Sequence, residues 1–75
     1  MHIRVVLFGG LRQIAGRRET DLDVGGDCCV SSAVERLGLP LEAVGMAVVN
    51  GEVAPLDAAL ADGDELALFS PIGGG

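Results

Sequence analysis

The residues best suited to chemistry are the last three, Gly73-Gly74-Gly75, which end the sequence in bare backbone and a free carboxylate. Glycine has no side chain to pack and loses the most conformational freedom on ordering, so a terminal glycine run adds nothing to a core. It does make a thin strip of chain that fits a narrow slot and carries a carboxylate into it. A frayed terminus would have the same composition. Context separates the two, because the apolar pattern of Leu66, Leu68 and Phe69 runs through Ser70-Pro71-Ile72 into the glycines with no linker. The expectation is one domain over residues 1–75 that displays a flexible tail, residues 70–75.

Other reactive groups are few. Cys28 and Cys29 are adjacent, so they close no useful structural loop and lack the spacing of a zinc site. They read as reduced thiols and small buried fillers, although a helix N-terminus at this point would lower a thiol pKa. His2, the single histidine, has no second ligand-type neighbour in a motif and reads as an ordinary strand-start residue. No catalytic constellation and no metal site is expected.

Size and charge narrow the field further. At 75 residues, a core buries only about 60% of the unfolded chain's surface, so a large internal substrate pocket is not expected. The hydrophobic fraction of 49% comes in short runs broken by charge, far from the ~20 apolar residues of a membrane span. The N-terminus lacks a basic stretch before an apolar one, and a cytoplasmic location is expected. Through Arg36 there are five arginines and five acids; from Leu37 onward there are six acids and no basic residue, so that half carries the net charge of −6. An acidic half bearing the tail disfavours nucleic acid, whose affinity comes from phosphate contacts, and suits a basic protein partner or plain solubility.

The elements that must hold the tail follow from periodicity. His2 to Phe8 alternates Ile3, Val5 and Leu7 against Arg4, Val6 and Phe8, with both sides mostly apolar, which predicts a central strand. Leu11 and Ile14 predict a short helical turn over Leu11 to Ala15. In Glu19 to Val24, Thr20, Leu22 and Val24 face opposite Glu19, Asp21 and Asp23, the pattern of a half-exposed strand hairpinned to the first. Val30, Ala33, Val34 and Leu37 then fall at i, i+3, i+4 and i+7 and predict the main helix. Asp27, or a Ser32–Glu35 capping box, offers its start; Gly38 and Pro40 mark its end. Met46 to Val49, the Asn50-Gly51 turn and Glu52 to Ala54 form a hairpin. A helical turn over Leu56 to Leu60, the Asp62-Gly63 turn and a last strand complete the chain. The order ββαβββ, with the last strand beside the first, is an α+β fold: a mixed sheet packed on one main helix, the ubiquitin-like β-grasp.

The segments LFGGLRQIAG and VVNGEVAPLDAALADGDELALFSPIGGG, with the helix between them, resemble the small subunit of molybdopterin synthase. That subunit belongs to the ubiquitin-like sulfur carriers of the molybdopterin and thiamine pathways. The resemblance covers essentially the whole chain. Its most specific part is the ordered series Asn50-Gly51-Glu52, Leu60 to Glu65, an apolar strand and Gly74-Gly75. The chain departs from the family in having Ser70-Pro71 where two prolines are frequent, Gly73 where alanine is frequent, and cysteines at 28 and 29 in place of small polar residues. The tail alone fits the thiamine carriers as well; the early LFGGLRQIAG favours molybdopterin.

The resemblance implies a carrier and not an enzyme. A carboxylate is a poor electrophile, so a ubiquitin-activating-type adenylating partner would use ATP and Mg²⁺ to convert the Gly75 carboxylate to an acyl-adenylate. A sulfur donor would displace AMP, and the Gly75 thiocarboxylate would then donate sulfur within the large subunit of molybdopterin synthase. Gly73, Gly74 and Gly75 would enter each partner's active site, with Phe69, Pro71 and Ile72 at the docking surface. The carrier itself would bind no cofactor, metal, nucleic acid or membrane. A ubiquitin-like modifier joining Gly75 to lysines of other proteins, and a plain binding module with an idle tail, are the alternatives.

Overall fold

The structure, a computed structural model, describes residues 1–71. Ile72, Gly73, Gly74 and Gly75, all given roles above, lie outside the described residues.

The alternating first segment becomes strand β1 (His2–Phe8), followed by the short helix α1 (Gly10–Ala15), strand β2 (Glu19–Asp23) and the main helix α2 (Val30–Arg36). A 3-10 turn (Leu41–Ala43) leads to β3 (Met46–Val49), β4 (Glu52–Ala54) and β5 (Glu65–Phe69). The sheet order is β2-β1-β5-β3-β4. β1 and β5 run parallel, with Leu7 opposite Leu68 and Phe8 opposite Phe69, while β2, β3 and β4 pair antiparallel to their neighbours. This is the expected β-grasp arrangement.

Ile3, Val5 and Leu7 of β1, Leu66 and Leu68 of β5 and Ala47 of β3 are buried in one cluster with Val30, Ala33 and Val34 of α2. Each apolar side chain fully withdrawn from water contributes about 1.5–3 kcal/mol, which offsets the entropy of ordering these short elements. Leu11 of α1 joins the core and Ala15, one turn on, packs against it, but Ile14 is 55% exposed because the core reaches only the Leu11–Ala15 side of this six-residue helix.

The two ends of α2 are closed differently, the C-terminus by local bonds and the N-terminus by tertiary contacts. At its C-terminus Gly38 adopts φ 78°; its N–H donates to the Glu35 carbonyl at 3.0 Å, and the Leu39 N–H to the Val34 carbonyl at 3.2 Å. That is a Schellman cap, with Leu39 buried beneath it. The N-terminus departs from expectation. Neither Asp27 nor a Ser32–Glu35 box caps it; Cys29 occupies the N-cap with no capping side-chain bond. The first helical N–H groups, of Val30 and Ser31, donate instead to the carbonyls of Ala58 (3.0 Å) and Leu56 (2.8 Å). Residues 56–60 accordingly do not form the expected helical turn. Pro55 to Ala58 instead make a β-turn, the Ala58 N–H donating to the Pro55 carbonyl at 3.1 Å, after which Ala59 is bridged to Cys29 and the Leu60 N–H donates to the Cys28 carbonyl at 2.9 Å. A backbone that satisfies another element's donors in this way is unavailable for its own i→i+4 bonds.

Candidate functional site

β5 delivers the chain to its exit. Beyond Phe69, two glycine-bearing loops hold the next residues from either side. The Gly10 N–H donates to the Ser70 hydroxyl at 3.2 Å, and the Gly45 N–H donates to the Phe69 carbonyl at 2.7 Å. Gly9 and Gly45 have no room for a side chain here. A Cβ on Gly9, whose φ is 63°, would stand 2.3 Å from the Ser70 hydroxyl oxygen, and a Cβ on Gly45 would stand 2.6 Å from Pro71 Cα. Ser70 and Pro71, expected as the start of a free tail, are thus seated between the β1–α1 loop and the residue before β3. Sequence reasoning gave Gly9-Gly10 only the task of ending the first strand and gave Gly45 none. The only available signal was that Gly45 precedes a buried strand without a turn that requires glycine.

The sheet face turned away from α2 is open, and its composition changes along the strands. Phe8, Phe69 and Met46 lie side by side across β1, β5 and β3, and the next row holds Val6, Ala67, Val48 and Val53. Phe8 and Phe69 stack with ring centroids 4.5 Å apart and an angle of 6° between the planes. Phe69 is half-buried, whereas Phe8 is 36%, Met46 41% and Val53 72% exposed. Phe69 is therefore neither a core residue nor a fully free anchor; it is half of an exposed aromatic pair at the root of the tail. Pro71 lines an apolar groove of about 390 Å³ with Gly45, Met46, Phe69 and Ser70. Toward the other end of the strands the same face is charged, with Arg4 between Glu65 and Asp21 and an Arg4–Glu19 ion pair at 2.8 Å. On the far side of the aromatic pair, Arg12, Arg17 and Arg18, with the single acid Glu19, line a depression of about 630 Å³ together with Val6, Leu7 and Phe8. The charge separation of the sequence thus becomes a basic corner beside the tail root on an acidic molecule.

The cysteines divide. Cys28 is buried and burial pushes its thiol pKa up, as expected of a filler. Cys29 is only half-buried. Its sulfur lies 3.1 Å from the Ser31 hydroxyl and 3.3 Å from that of Ser32, and these bonds, Ser31's first, bring its pKa down to about 7. The filler reading holds for Cys28 alone. Both cysteines belong to the α2 start and are absent from the residues that hold Ser70 and Pro71.

The remaining polar cluster is structural. Asn50, at φ 51° in the β3–β4 turn, donates to Asp64 at 2.9 Å and accepts from the Glu65 N–H at 2.9 Å. Asp64 also accepts from the Ala61 N–H at 2.8 Å. One Asn side chain thereby ties the hairpin turn to the start of β5, the strand that carries the tail. Among the described residues no helix is long and apolar enough to cross a membrane.

Comparison with known proteins agrees with this fold. The profile of the ThiS family matches residues 5–75. The small archaeal modifier protein 1 of Haloferax volcanii is 39% identical over 83 aligned positions, covering 92% of this chain and 95% of the relative. Its crystal structure superposes over the full length of both chains with a TM-score of 0.82 at 36% identity. Two more distant structures share the fold: Urm1 from Trypanosoma brucei (TM-score 0.74, 23% identity, 99% of this chain and 95% of that one), and the complex of subunits 1 and 2 of the molybdopterin-converting factor from Helicobacter pylori (TM-score 0.66, 21% identity, all of both chains).

Proposed function

The chain belongs to the ThiS family of small ubiquitin-like carriers, and from that premise we propose that it carries sulfur on the carboxylate of Gly75 for molybdopterin synthesis. A ubiquitin-activating-type enzyme joins the carboxylate to AMP at the expense of ATP bound with Mg²⁺, releasing pyrophosphate. A sulfur donor displaces AMP and leaves a thiocarboxylate, whose sulfur passes to a pterin precursor in the large subunit of molybdopterin synthase. Phe69, Pro71 and Ile72 dock on each partner, while Gly73, Gly74 and Gly75 enter its active site. The chemistry takes place in the cytoplasm. The carrier contributes recognition and reach, and its partners supply the catalytic groups.

The observation that carries this reading is the coincidence of an open apolar sheet end, centred on the Phe8–Phe69 stack, with the point where the chain leaves the sheet. Aromatic and methionine side chains are enriched in the cores of protein interfaces. A docking face adjoining the tail root lets one interface both bind the domain and aim the carboxylate. A two-subunit assembly containing a protein of this fold, from Helicobacter pylori, is consistent with such docking.

A second reading is favoured by the 39% identical relative, which is named a modifier. Here the activated Gly75 forms an isopeptide bond with a lysine of another protein. The five basic residues of this chain are all arginine, so it cannot extend itself through lysine-linked chains.

Intact-mass and peptide mass spectrometry of the protein isolated from its own cells tests both readings. A C-terminus with one oxygen replaced by sulfur establishes the carrier; Gly75 joined to lysine peptides establishes the modifier; an unaltered carboxylate throughout removes both. Deleting the gene and measuring molybdopterin against thiamine and thiolated products then identifies the acceptor. Undiminished molybdopterin would overturn the assignment to that pathway.

A further inference from the structure

We propose that Gly9, Gly10, Gly45 and Ser70 form a collar that sets the direction in which the tail leaves the domain, and that they are positioning residues for activation of the C-terminal carboxylate. The inference rests on the carrier or modifier reading above, both of which require that carboxylate to be activated.

Four contacts converge on three consecutive residues, Phe69, Ser70 and Pro71. Ser70 is held by the Gly10 N–H through its hydroxyl at 3.2 Å, and its oxygen fills the space where a Gly9 side chain would be. Pro71 lies flat against Gly45, whose added Cβ would meet Pro71 Cα at 2.6 Å, Pro71 N at 2.8 Å and the Ser70 carbonyl carbon at 3.1 Å. The Gly45 N–H is spent on the Phe69 carbonyl at 2.7 Å, the last carbonyl of β5. Proline adds a fixed φ of its own at the exit. None of these contacts is needed to bury the core: Ser70 is only half-buried, Pro71 is exposed, and neither belongs to the buried cluster. Close packing of backbone on backbone around an exposed proline aims the chain.

The consequence is quantitative. With the collar closed, only residues 72–75 remain to reach the partner's active site, at most roughly 14 Å when extended. With it open, the chain is released from Ser70 and sweeps roughly 20 Å. The local concentration of a tethered group falls about as the −3/2 power of tether length, so release from six residues in place of four costs about twofold from length alone. Loss of a preferred direction adds to this.

The test is ATP–pyrophosphate exchange by the adenylating enzyme from the protein's own cells. The affinity of the folded domain for that enzyme is measured in parallel. Ser70→Ala removes the Gly10 bond without adding bulk; its exchange kcat should fall about three- to tenfold, with affinity and melting temperature close to wild type. Ser70→Thr keeps the hydroxyl and should restore most of the rate. Gly45→Ala, which forces Pro71 outward, should lose more than tenfold. Should Gly45→Ala fail to fold, the pair of Ser70 variants still decides the matter. Wild-type exchange combined with an unchanged kcat for Ser70→Ala overturns the collar alone, as does an effect of Ser70→Ala on affinity in place of kcat. Absence of exchange by the wild-type chain overturns the activation reading, and the collar with it.

Discussion

Single side chains give the most direct expectations. Cys29 has a pKa of about 7 because the hydroxyls of Ser31 and Ser32 stabilise its thiolate, whereas burial raises that of Cys28. Iodoacetamide should therefore label Cys29 with a midpoint near pH 7 and leave Cys28 essentially unmodified; equal labelling of the two would contradict the placement of Cys29. Because neither thiol touches the tail root, a Cys28→Ala, Cys29→Ser chain should retain sulfur transfer after any stability loss is allowed for. The Asn50–Asp64 pair is a second case. The Asp64 carboxyl is held below its ordinary value of 3.8, first by the Ala61 N–H and then by the Asn50 amide. Folding thus favours the carboxylate, so this contribution is present at neutral pH and is lost as pH falls through the lowered value. Asn50→Ala also loses a residue type that tolerates φ 51°, and should destabilise by about 1–2 kcal/mol at pH 7 in urea melts, with a smaller difference at pH 3. An unchanged midpoint would mean that the turn does not brace β5.

At the level of elements, β5 has two faces with different tasks. Leu68 is fully buried opposite Leu7, and Phe69 is half-buried on the open side, stacked on Phe8. Leu68→Ala should cost the 2–5 kcal/mol typical of core truncation, enough to threaten a domain of this size. Phe69→Ala loses the stack and part of its burial, about 1–2 kcal/mol. The order should invert in binding: Phe69→Ala is expected to weaken association with the adenylating enzyme at least tenfold, whereas folded Leu68→Ala protein should bind nearly normally. Calorimetric titration on variants of confirmed fold decides this, and equal losses would place the docking surface elsewhere. The start of α2 shows the same division of labour, since residues 56–60 give up a helical turn of their own to supply its first N–H groups with acceptors.

On the scale of the whole molecule, the proposed function depends on the distance from docking face to carboxylate. Deleting Gly75 leaves a chain that still ends in two glycines but draws the carboxylate back by about 3.5 Å. Reacting atoms must approach within about 3–3.5 Å, and an error near 1 Å already costs around a hundredfold. The shortened chain should therefore bind its adenylating enzyme almost normally and form acyl-adenylate very slowly. Near wild-type pyrophosphate exchange would show that the tail is not held in register. This loss is expected to exceed that of Ser70→Ala, because a shorter tail cannot reach whereas a misdirected one still arrives in time.

The sequence by itself determined the β-grasp order, the strand bounds of His2–Phe8 and Met46–Val49, and the Asn50-Gly51 and Gly38 punctuation, because these depend on local periodicity and on φ angles that few residues tolerate. The wider family of ubiquitin-like carriers, too, was legible there, from an ordered motif series that spans the chain. Tertiary structure alone decided the rest. Whether Ile14 is buried depends on which side of α1 the core reaches, and Cys29 becomes the N-cap because Leu56 and Ala58 bring their carbonyls to the helix from 25 or more residues away. Phe69 is paired with Phe8 by the parallel register of strands at opposite ends of the chain. The collar is the clearest instance: Gly9, Gly45 and Ser70 are unremarkable where they stand in sequence, and only the folding of three distant segments onto one point leaves no room there for a Cβ.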